Sequence, residues 1–362
     1  MTFFSLLSRR LMKDHRLAGQ FVLVLLSAAL VSFGLVFVHS MVEGIRERYV
    51  LLGEGDVTIE GEYTEGETVI AAQALLYGKT GVRPLMIKGV RDSYLSGERG
   101  KALVRFRGEG RSAHGIILSE QTAKDCGLGI GDKVLAAFSL SGSLRPLLCT
   151  VDGLYASGYR EMDEHLAFMQ FDTLVPYGFP VQTELIGKEP VDQILNRIRE
   201  QGYNARPWWE REDAVAENLV TSERVVTMMF IVVILLCAYF VGEFASTLLW
   251  DHRADIALLH LMGAGKSVLK AACLTAIALV ALLAIVLGMA LGILVSYLLV
   301  PLLPLLADKN IPSLSYYLLQ FRIEVPMARL LEIMFLLLGA SMLSGMLALR
   351  PLSKTSVSNL AG

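Results

Sequence analysis

Hydrophobic and polar positions alternate in two different rhythms along this chain. At its ends the pattern is block-like: Leu17–Ser40 and Ala271–Val300 carry no charge, and Val225–Leu249 is broken only by Glu243. A fourth stretch, Leu330–Leu349, has one acid, Glu332, followed by seventeen uncharged residues up to Arg350. A hydrocarbon core of ~30 Å needs about 20 mostly apolar residues in a helix, so these stretches predict four membrane spans. Between the first two lies a long segment, 41–224, with the shorter rhythm of a folded domain. Val57 and Ile59 alternate in "GEGDVTIEGE", and "GVRPLMIKGV" is a second strand bounded by glycines. "GIILSEQTAKDCGLGIGDKVLAAFSL" reads as strand, short helix, turn and strand, with Ser119 as helix cap and Gly131-Asp132 as turn. A hairpin at 141–143 and a strand through "LLCTVDGLY" continue the sheet, and Ile194, Ile198, Val215 and Leu219 have helical spacing. The fold class is therefore an α-helical membrane protein with four transmembrane helices and a large α+β extracytoplasmic domain inserted between helices 1 and 2.

Composition agrees with a membrane chain: of 362 residues, 54% are hydrophobic and 19% charged, with a mean hydropathy of +0.51. Orientation follows from Lys and Arg near the spans. Arg9, Arg10, Lys13 and Arg16 hold the N-terminus in the cytoplasm, and Arg253, Lys266 and Lys270 do the same for the loop between spans two and three. The large domain is then outside, and Arg350 and Lys354 return the tail to the cytoplasm. A signal peptide has an apolar region of ~7–15 residues, so the longer first run reads as an uncleaved anchor. The expected organisation is a cytoplasmic interfacial helix (1–16), first span (17–40), outer domain of two subdomains (41–224), second span (225–249), cytoplasmic helix and loop (250–270), third span (271–300), outer loop (301–329), fourth span (330–349) and tail (350–362). Phe3, Phe4, Leu7 and Leu11 near one face of the first segment suit an interfacial helix, although a plain basic flank fits equally.

Candidate chemistry is sparse. "HLMGAGKSVLK" ends in Gly265-Lys266-Ser267, but a phosphate-binding loop needs a glycine where His260 stands, and it needs a strand before it. The outer domain has two histidines, His114 and His165, no H-x-x-x-H pattern, no G-x-S-x-G and no paired-cysteine metal spacing. Nothing in it supports catalysis, and no metal or cofactor site is expected on this chain. Cys126 and Cys149 share the outer domain and leave a disulfide open, while Cys237 and Cys273 fall within spans. Trp208 and Trp209 suit either domain packing or an interfacial belt.

Local stretches add a family likeness. "HGIILSEQTAKDCGLGIGDKV", "VDGLYASGYREMDEHLAFMQFDTL" and "WDHRADIALLHLMGAGKSVLK", together with the order span, large domain, three spans, resemble the permease subunits of ABC transporters in the FtsX/MacB group, and within it the Lol lipoprotein-releasing permeases. The resemblance implies a non-catalytic subunit of an ATP-driven complex in the bacterial inner membrane. That complex would extract lipoproteins from the outer leaflet and release them towards the outer membrane. ATP and Mg would sit on a separate cytoplasmic ATPase dimer. A second permease chain, paralogue or self, lipoprotein cargo and membrane lipids complete the partners, and nucleic acid is not among them. The segment after the second span would be the coupling helix, with Asp255 at the family's acidic position and Gly263-Ala264 as the family element. On it Ile256, Leu259 and Met262 would share one side, leaving Asp251, Arg253 and Asp255 to a polar partner.

An acylated anchor calls for apolar, adaptable contacts, which makes Phe37, Met41, Val42, Met228, Met229 and Phe230 candidate lipid contacts. Two features depart from the family. Glu243 lies about two turns inside the second span, where an acid is by default a functional candidate; it could also snorkel or pair with Arg253, and the pairing is the favoured expectation. The segment Phe138–Pro146, where one Lol permease carries a carrier-recruiting hairpin, is short, so recruitment of a periplasmic lipoprotein carrier stays open. Two alternatives within the wider group stay open as well, an FtsX-like transmitter that activates a cell-wall hydrolase and a MacB-like exporter of peptides or toxins.

Overall fold

The computed structural model describes residues 15–97, 99–108, 112, 114–140, 143–187, 189–251, 253, 258, 265–299, 301–302 and 322–350. The chain divides into two compact units, each described by itself: one of Met1–Met41, Val220–Pro301 and Ile323–Gly362, the other of Val42–Leu219 and Leu302–Arg322. Four long helices, α1 (His15–Arg48), α6 (Asp213–Asp251), α7 (Lys266–Leu299) and α8 (Met327–Ala348), are long and apolar enough to cross a membrane. α1 and α6 run beyond the apolar blocks that predict them, because the block marks only residues suited to hydrocarbon while a nucleated helix propagates through polar ones.

In the first unit the helices share a core of Val24, Val31, Leu35, Phe244, Leu248, Ile277, Ile285, Leu337 and their neighbours. Small residues let α1 and α7 touch. A Cβ at Gly292 would lie 1.9 Å from Ser32 Oγ and 2.4 Å from the Ala29 carbonyl, and one at Gly288 would lie 2.3 Å from the Leu25 carbonyl. Ser32 Oγ donates to the Met289 carbonyl across this contact at 3.2 Å. Gly288 and Gly292 form a G-x-x-x-G pair, the spacing that brings membrane helices into backbone contact.

The second unit contains strands β1 (Val57–Glu60), β2 (Glu67–Tyr77), β3 (Val82–Val90), β4 (Arg105–Gly108), β5 (Gly115–Ser119), β6 (Lys133–Leu140), β7 (Ser143–Ala156), β8 (Leu166–Gln170), β9 (Val181–Leu185) and β10 (Ala205–Pro207). Short helices α2 (Asp92–Ser96), α3 (Glu120–Asp125), α4 (Arg160–His165) and α5 (Val191–Glu200) lie between them. Pairing runs β2–β3–β8–β5–β7–β6 and returns to β2, so six strands close a barrel. The closing edge of β2 is shared: Ala74–Tyr77 pairs with β6, and Glu67–Ile70 pairs with β9, which continues through β1 to β10. Period-two alternation fills the barrel. Ile70, Ala72, Ala74 and Leu76 of β2 point in with Ile87, Leu118, Val134, Phe138 and Met169, small residues set against large ones. Beside it, α5 buries Ile194, Leu195 and Ile198 on Val57, Ile59, Leu185 and Ala205.

Several expectations can be placed. The Ser119 hydroxyl caps α3 by accepting from the Thr122 amide at 3.0 Å. Gly127 and Gly131 take left-handed backbone, φ +65° and +90°, where the sequence reads a helix end and a turn. β6 and β7 form a long hairpin inside the barrel wall, from Lys133↔Thr150 to Leu140↔Ser143, with residues 141 and 142 outside the described set. Cys126 and Cys149 are free thiols within the barrel core, and burial pushes Cys149 up to about 12. Trp208 is buried in the outer unit, its ring edge-on to Trp209.

Candidate functional site at the outer end of the first long helix

α1 ends in Arg46 and Arg48 and continues as a wider π-type turn, Tyr49–Glu54. The last carbonyls of a helix have no intrahelical donors, and burying them requires partners from elsewhere. Here the barrel supplies them. Arg99 Nη1 donates to the Leu51 carbonyl at 3.0 Å, Lys88 Nζ to the Leu52 carbonyl at 3.1 Å, and Lys88 also to Gly53. Cations at a helix C-terminus are favourable because the carbonyl ends carry partial negative charge.

Those two cations are themselves buried and converge on one acid, Glu184 of β9. Lys88 pairs with Glu184 Oε1, and Arg99 Nη1 lies 2.6 Å from Oε2. The Tyr94 hydroxyl accepts from Lys88 and from Arg99, each at 2.7 Å, and reaches Glu184 Oε2 at 3.1 Å. Burial lowers Lys88 from its ordinary value while Glu184 opposes that shift. Burial and the neighbouring carboxylate push Tyr94 well up. Burial alone would lower Arg99, but Tyr94 and Glu184 outweigh it and raise it. This clasp joins β3, α2, β9 and the helix end in one network, each member satisfied by the others.

A second set of contacts lies one turn earlier. Arg48 Nε donates to the Ser157 carbonyl at 2.7 Å. The Ser157 amide donates to the Asp163 carboxylate at 3.0 and 3.2 Å, and the Thr122 hydroxyl donates to the Asp163 carbonyl at 2.8 Å, joined there by the Ser119 hydroxyl. Gly158 sits at φ +77°, with Val104 Cγ2 only 2.8 Å from where a Cβ would be, so the loop closes tightly beneath Arg48. The Tyr49 and Tyr159 rings meet edge-on at 5.4 Å. Gly158, Tyr159 and Asp163 belong to the stretch that carries the family resemblance, and their role here is to seat the helix end.

The segment just before α6 lies beside the same turn. Arg211 Nε pairs with Glu54 Oε2 at 2.9 Å, and the Trp208 amide donates to the Asp56 carbonyl at 3.2 Å. A cavity of about 490 Å³ opens next to the clasp, lined by Glu54, Lys88, Glu161, Glu164, Glu184 and Glu212 with apolar Tyr49, Met86, Met162 and Val215. Burial raises Glu54 and Glu212 above the usual carboxylate range, and Glu54 adds to the shift of Glu212. His165 is exposed and lines this cavity and a second one, of about 440 Å³, bounded by Leu75, Pro84, Ala137 and Leu144. No group of three or more metal-ligating side chains occurs among the described residues.

Of the candidate coupling residues, Asp251 and Arg253 are exposed, whereas Asp255, Ile256, Leu259, Gly263 and Ala264 lie outside the described residues, as does the interfacial segment 1–14. The pairing expected of Arg253 with Glu243 is not formed: the Arg253 guanidinium stacks 4.9 Å from the Trp250 ring, held by cation–π attraction. Among the candidate lipid contacts, Met41, Met228 and Met229 are exposed, Phe37 and Val42 half-buried, and Phe230 buried against Gly34. Phe230 therefore faces the helix bundle. Lys88, Arg99, Glu184 and Tyr94 escaped sequence reasoning, because four polar residues spread over nearly a hundred positions converge only through the sheet. The signal that was present is Lys88, a lysine in the half of β3 whose other side chains, Leu85, Met86, Ile87 and Val90, are apolar.

Residues 227–357 match the family model of the FtsX-like permease C-terminal region. Among solved structures, the extracellular domain of the noncanonic ABC-type transporter YknZ from Gram-positive bacteria is similar at 14% identity. That similarity covers 45% of this chain and 87% of that one, with a TM-score of 0.24. No curated protein sequence matches the chain. Residues 227–357, just over a third of the chain, are thus similar to the C-terminal region of FtsX-like permeases, and four helices of the chain are long and apolar enough to cross a membrane. Between its first and second long helices the chain carries a domain built on a closed six-stranded barrel.

Proposed function

We propose that this chain is the permease subunit of an ATP-driven complex that lifts lipoproteins out of the outer leaflet of the inner membrane and hands them on towards the outer membrane. The observation that carries the mechanical part is the clasp: the outer end of α1 is held on the barrel by Lys88, Arg99 and Tyr94 on its carbonyls and by the Arg48–Ser157–Asp163 contacts one turn below. A helix fixed this way transmits displacement as a rigid element rather than dissipating it in a hinge. ATP-driven closure of two cytoplasmic ATPase subunits would act on the loop 250–270, with Asp251, Arg253 and Asp255 as its polar contacts, and the long helices would pass the motion outward.

The cargo part rests on the Lol-like stretches and on energetics. A triacylated anchor has roughly 45 methylenes, and at ~0.8 kcal/mol each about 36 kcal/mol opposes its exposure to water. The chains must pass from one apolar site to another, and the exposed Met41, Met228 and Met229 with Phe37 and Val42 supply a flexible apolar lining for that transfer. ATP and Mg belong to the partner ATPase, and this chain contributes no catalytic group.

Gentle purification of the tagged protein from its native membrane, with mass spectrometry of what co-elutes, tests the reading. An ATPase that is lost on Asp255→Lys, together with acylated lipoproteins, is expected. An ATPase accompanied by a cell-wall hydrolase and no acylated cargo replaces the lipoprotein reading with that of a transmitter, and the absence of any ATPase removes both.

A further inference from the structure

The barrel fills its inward positions with apolar residues, as a core requires, but on one wall its outward positions are apolar too. Tyr77 stands opposite Val82 and Leu135 in one outward row, and Leu75 stands opposite Pro84 and Ala137 in the next. Leu148 and Pro146 of β7 extend the two rows. Tyr77, Val82, Leu135 and Leu148 are between 36% and 57% exposed. A sheet with one face in water sets polar residues outward, so two adjacent rows without a charge mark a surface that meets something other than water. The wall is also hollowed. The cavity of about 440 Å³ lies over the row of Leu75, edged by Leu144, Gln73 and Ser139. Gln73 and Ser139 are exposed and have no hydrogen bond among the described residues. Met86 and His165 line this cavity and also the one of about 490 Å³ beside the clasp, so the two form a single groove along the outward positions of β2, from Leu75 to Ala71. At the clasp end Glu54, Glu164 and Glu184 are already paired with cations, whereas Glu161 and Glu212 have no ion pair among the described residues.

We propose that this groove binds an extended peptide segment of a partner protein, with apolar side chains two residues apart on the uncharged rows and a Lys or Arg at the acidic end. In an extended chain alternate side chains point the same way, and that two-residue step matches the step from one row to the next. Tyr77 lies six residues from Ala71 on β2, about 20 Å at ~3.4 Å per residue, so a peptide of about seven residues spans the groove. Backbone amides that leave water need partners, and Gln73 and Ser139 offer them midway. Glu161 and Glu212 supply the counter-charge for the cation. A lipid chain would fill the apolar rows and leave all four of these polar groups without a use. The inference stands apart from the permease reading, since it needs neither an ATPase nor an acylated cargo.

Fluorescence anisotropy tests it, with the full-length chain in phosphatidylcholine nanodiscs titrated into a fluorescein-labelled peptide, Leu-Ser-Leu-Ser-Gly-Ser-Lys, and empty nanodiscs as blank. Saturable binding is expected. Glutamate in place of the peptide's lysine should weaken it roughly two- to thirtyfold, the range that two exposed ion pairs supply, and so should Glu161→Gln combined with Glu212→Gln. Leu144→Asp should weaken it at least about tenfold by removing an apolar contact. Val175→Asp, at a residue nearly as exposed (49% against 55%) but outside the groove, should leave it unchanged. Absence of saturable binding, or equal weakening by Val175→Asp, overturns the groove. Full affinity in the double glutamine variant overturns the basic end of the peptide. Displacement by dispersed palmitate, with no preference for lysine over glutamate, replaces the peptide with a lipid chain.

Discussion

Lys88, Arg99 and Glu184 in the outer unit and Glu243 in the helical unit are charges withdrawn from water, and the chain treats them in opposite ways. The outer cluster is internally complete: two cations, one acid, a tyrosine hydroxyl and three helix-end carbonyls, all buried, satisfy one another. Glu243 has no such set among the described residues. A completed cluster holds one geometry because any displacement strands a charge, whereas an unpartnered carboxylate holds none. The first fixes the end of a helix on the barrel, and the second leaves a carboxylate on an exposed helix face.

The largest effect should come from breaking the completed cluster. Glu184→Leu leaves Lys88 and Arg99 buried without an anion, and removing one partner of a buried pair costs about 3–5 kcal/mol. Melting of the purified chain in detergent, followed by tryptophan fluorescence of Trp208 and Trp209 beside the joint, should show a large loss, and a shift within error would mean the cluster is not closed to water. A smaller loss is expected from Gly158→Ala. Its φ of +77° and the 2.8 Å approach to Val104 Cγ2 put strain of about 1–3 kcal/mol on the loop beneath Arg48. The same melt checks it, and a neutral result would show that the loop relaxes without disturbing the Arg48 contact.

The two regions differ in how far the sequence alone reveals them. The four helices could be read directly, since hydrocarbon imposes one uninterrupted composition on each, and so could β3, α3 with its Ser119 cap, β6 and β7, whose local alternation and turn glycines agree with their final state. Closure of the barrel could not. It depends on β2 pairing with β3, β6 and β9 at once, and on the parallel pairs β3–β8 and β5–β7, which join segments far apart in sequence. The clasp was hidden for the same reason. Lys88, Arg99 and Glu184 look like ordinary surface charges until the sheet brings them under the end of α1. Glu243 was visible as an anomaly, but the pattern suggested Arg253 as its partner. Arg253 instead takes the nearby Trp250 ring, a contact of adjacent turns that needs no reach into the hydrocarbon. Gly288 and Gly292 carried a readable spacing that the apolar run around them concealed.

The smallest effect sharpens the comparison through pH. Glu54 and Glu212 line the cavity beside the completed cluster, and burial raises both above the usual carboxylate range, so at neutral pH the folded state carries charges it holds poorly. For an acid whose folded value is raised, the folded chain binds protons more tightly than the unfolded one. Stability then falls as pH rises from the ordinary carboxylate value through the raised one, and it stays reduced above that. Glu54 is held by Arg211 and Thr58, so its removal would also break contacts, whereas Glu212 has no ion pair among the described residues. Glu212→Gln should therefore raise the melting temperature slightly at pH 7–8, and the gain should vanish below about pH 4, where an unperturbed carboxylate is itself protonated. A gain of the same size at both pH values would trace it to packing rather than charge, and a loss at neutral pH would mean that the carboxylate of Glu212 serves the joint as Glu184 does.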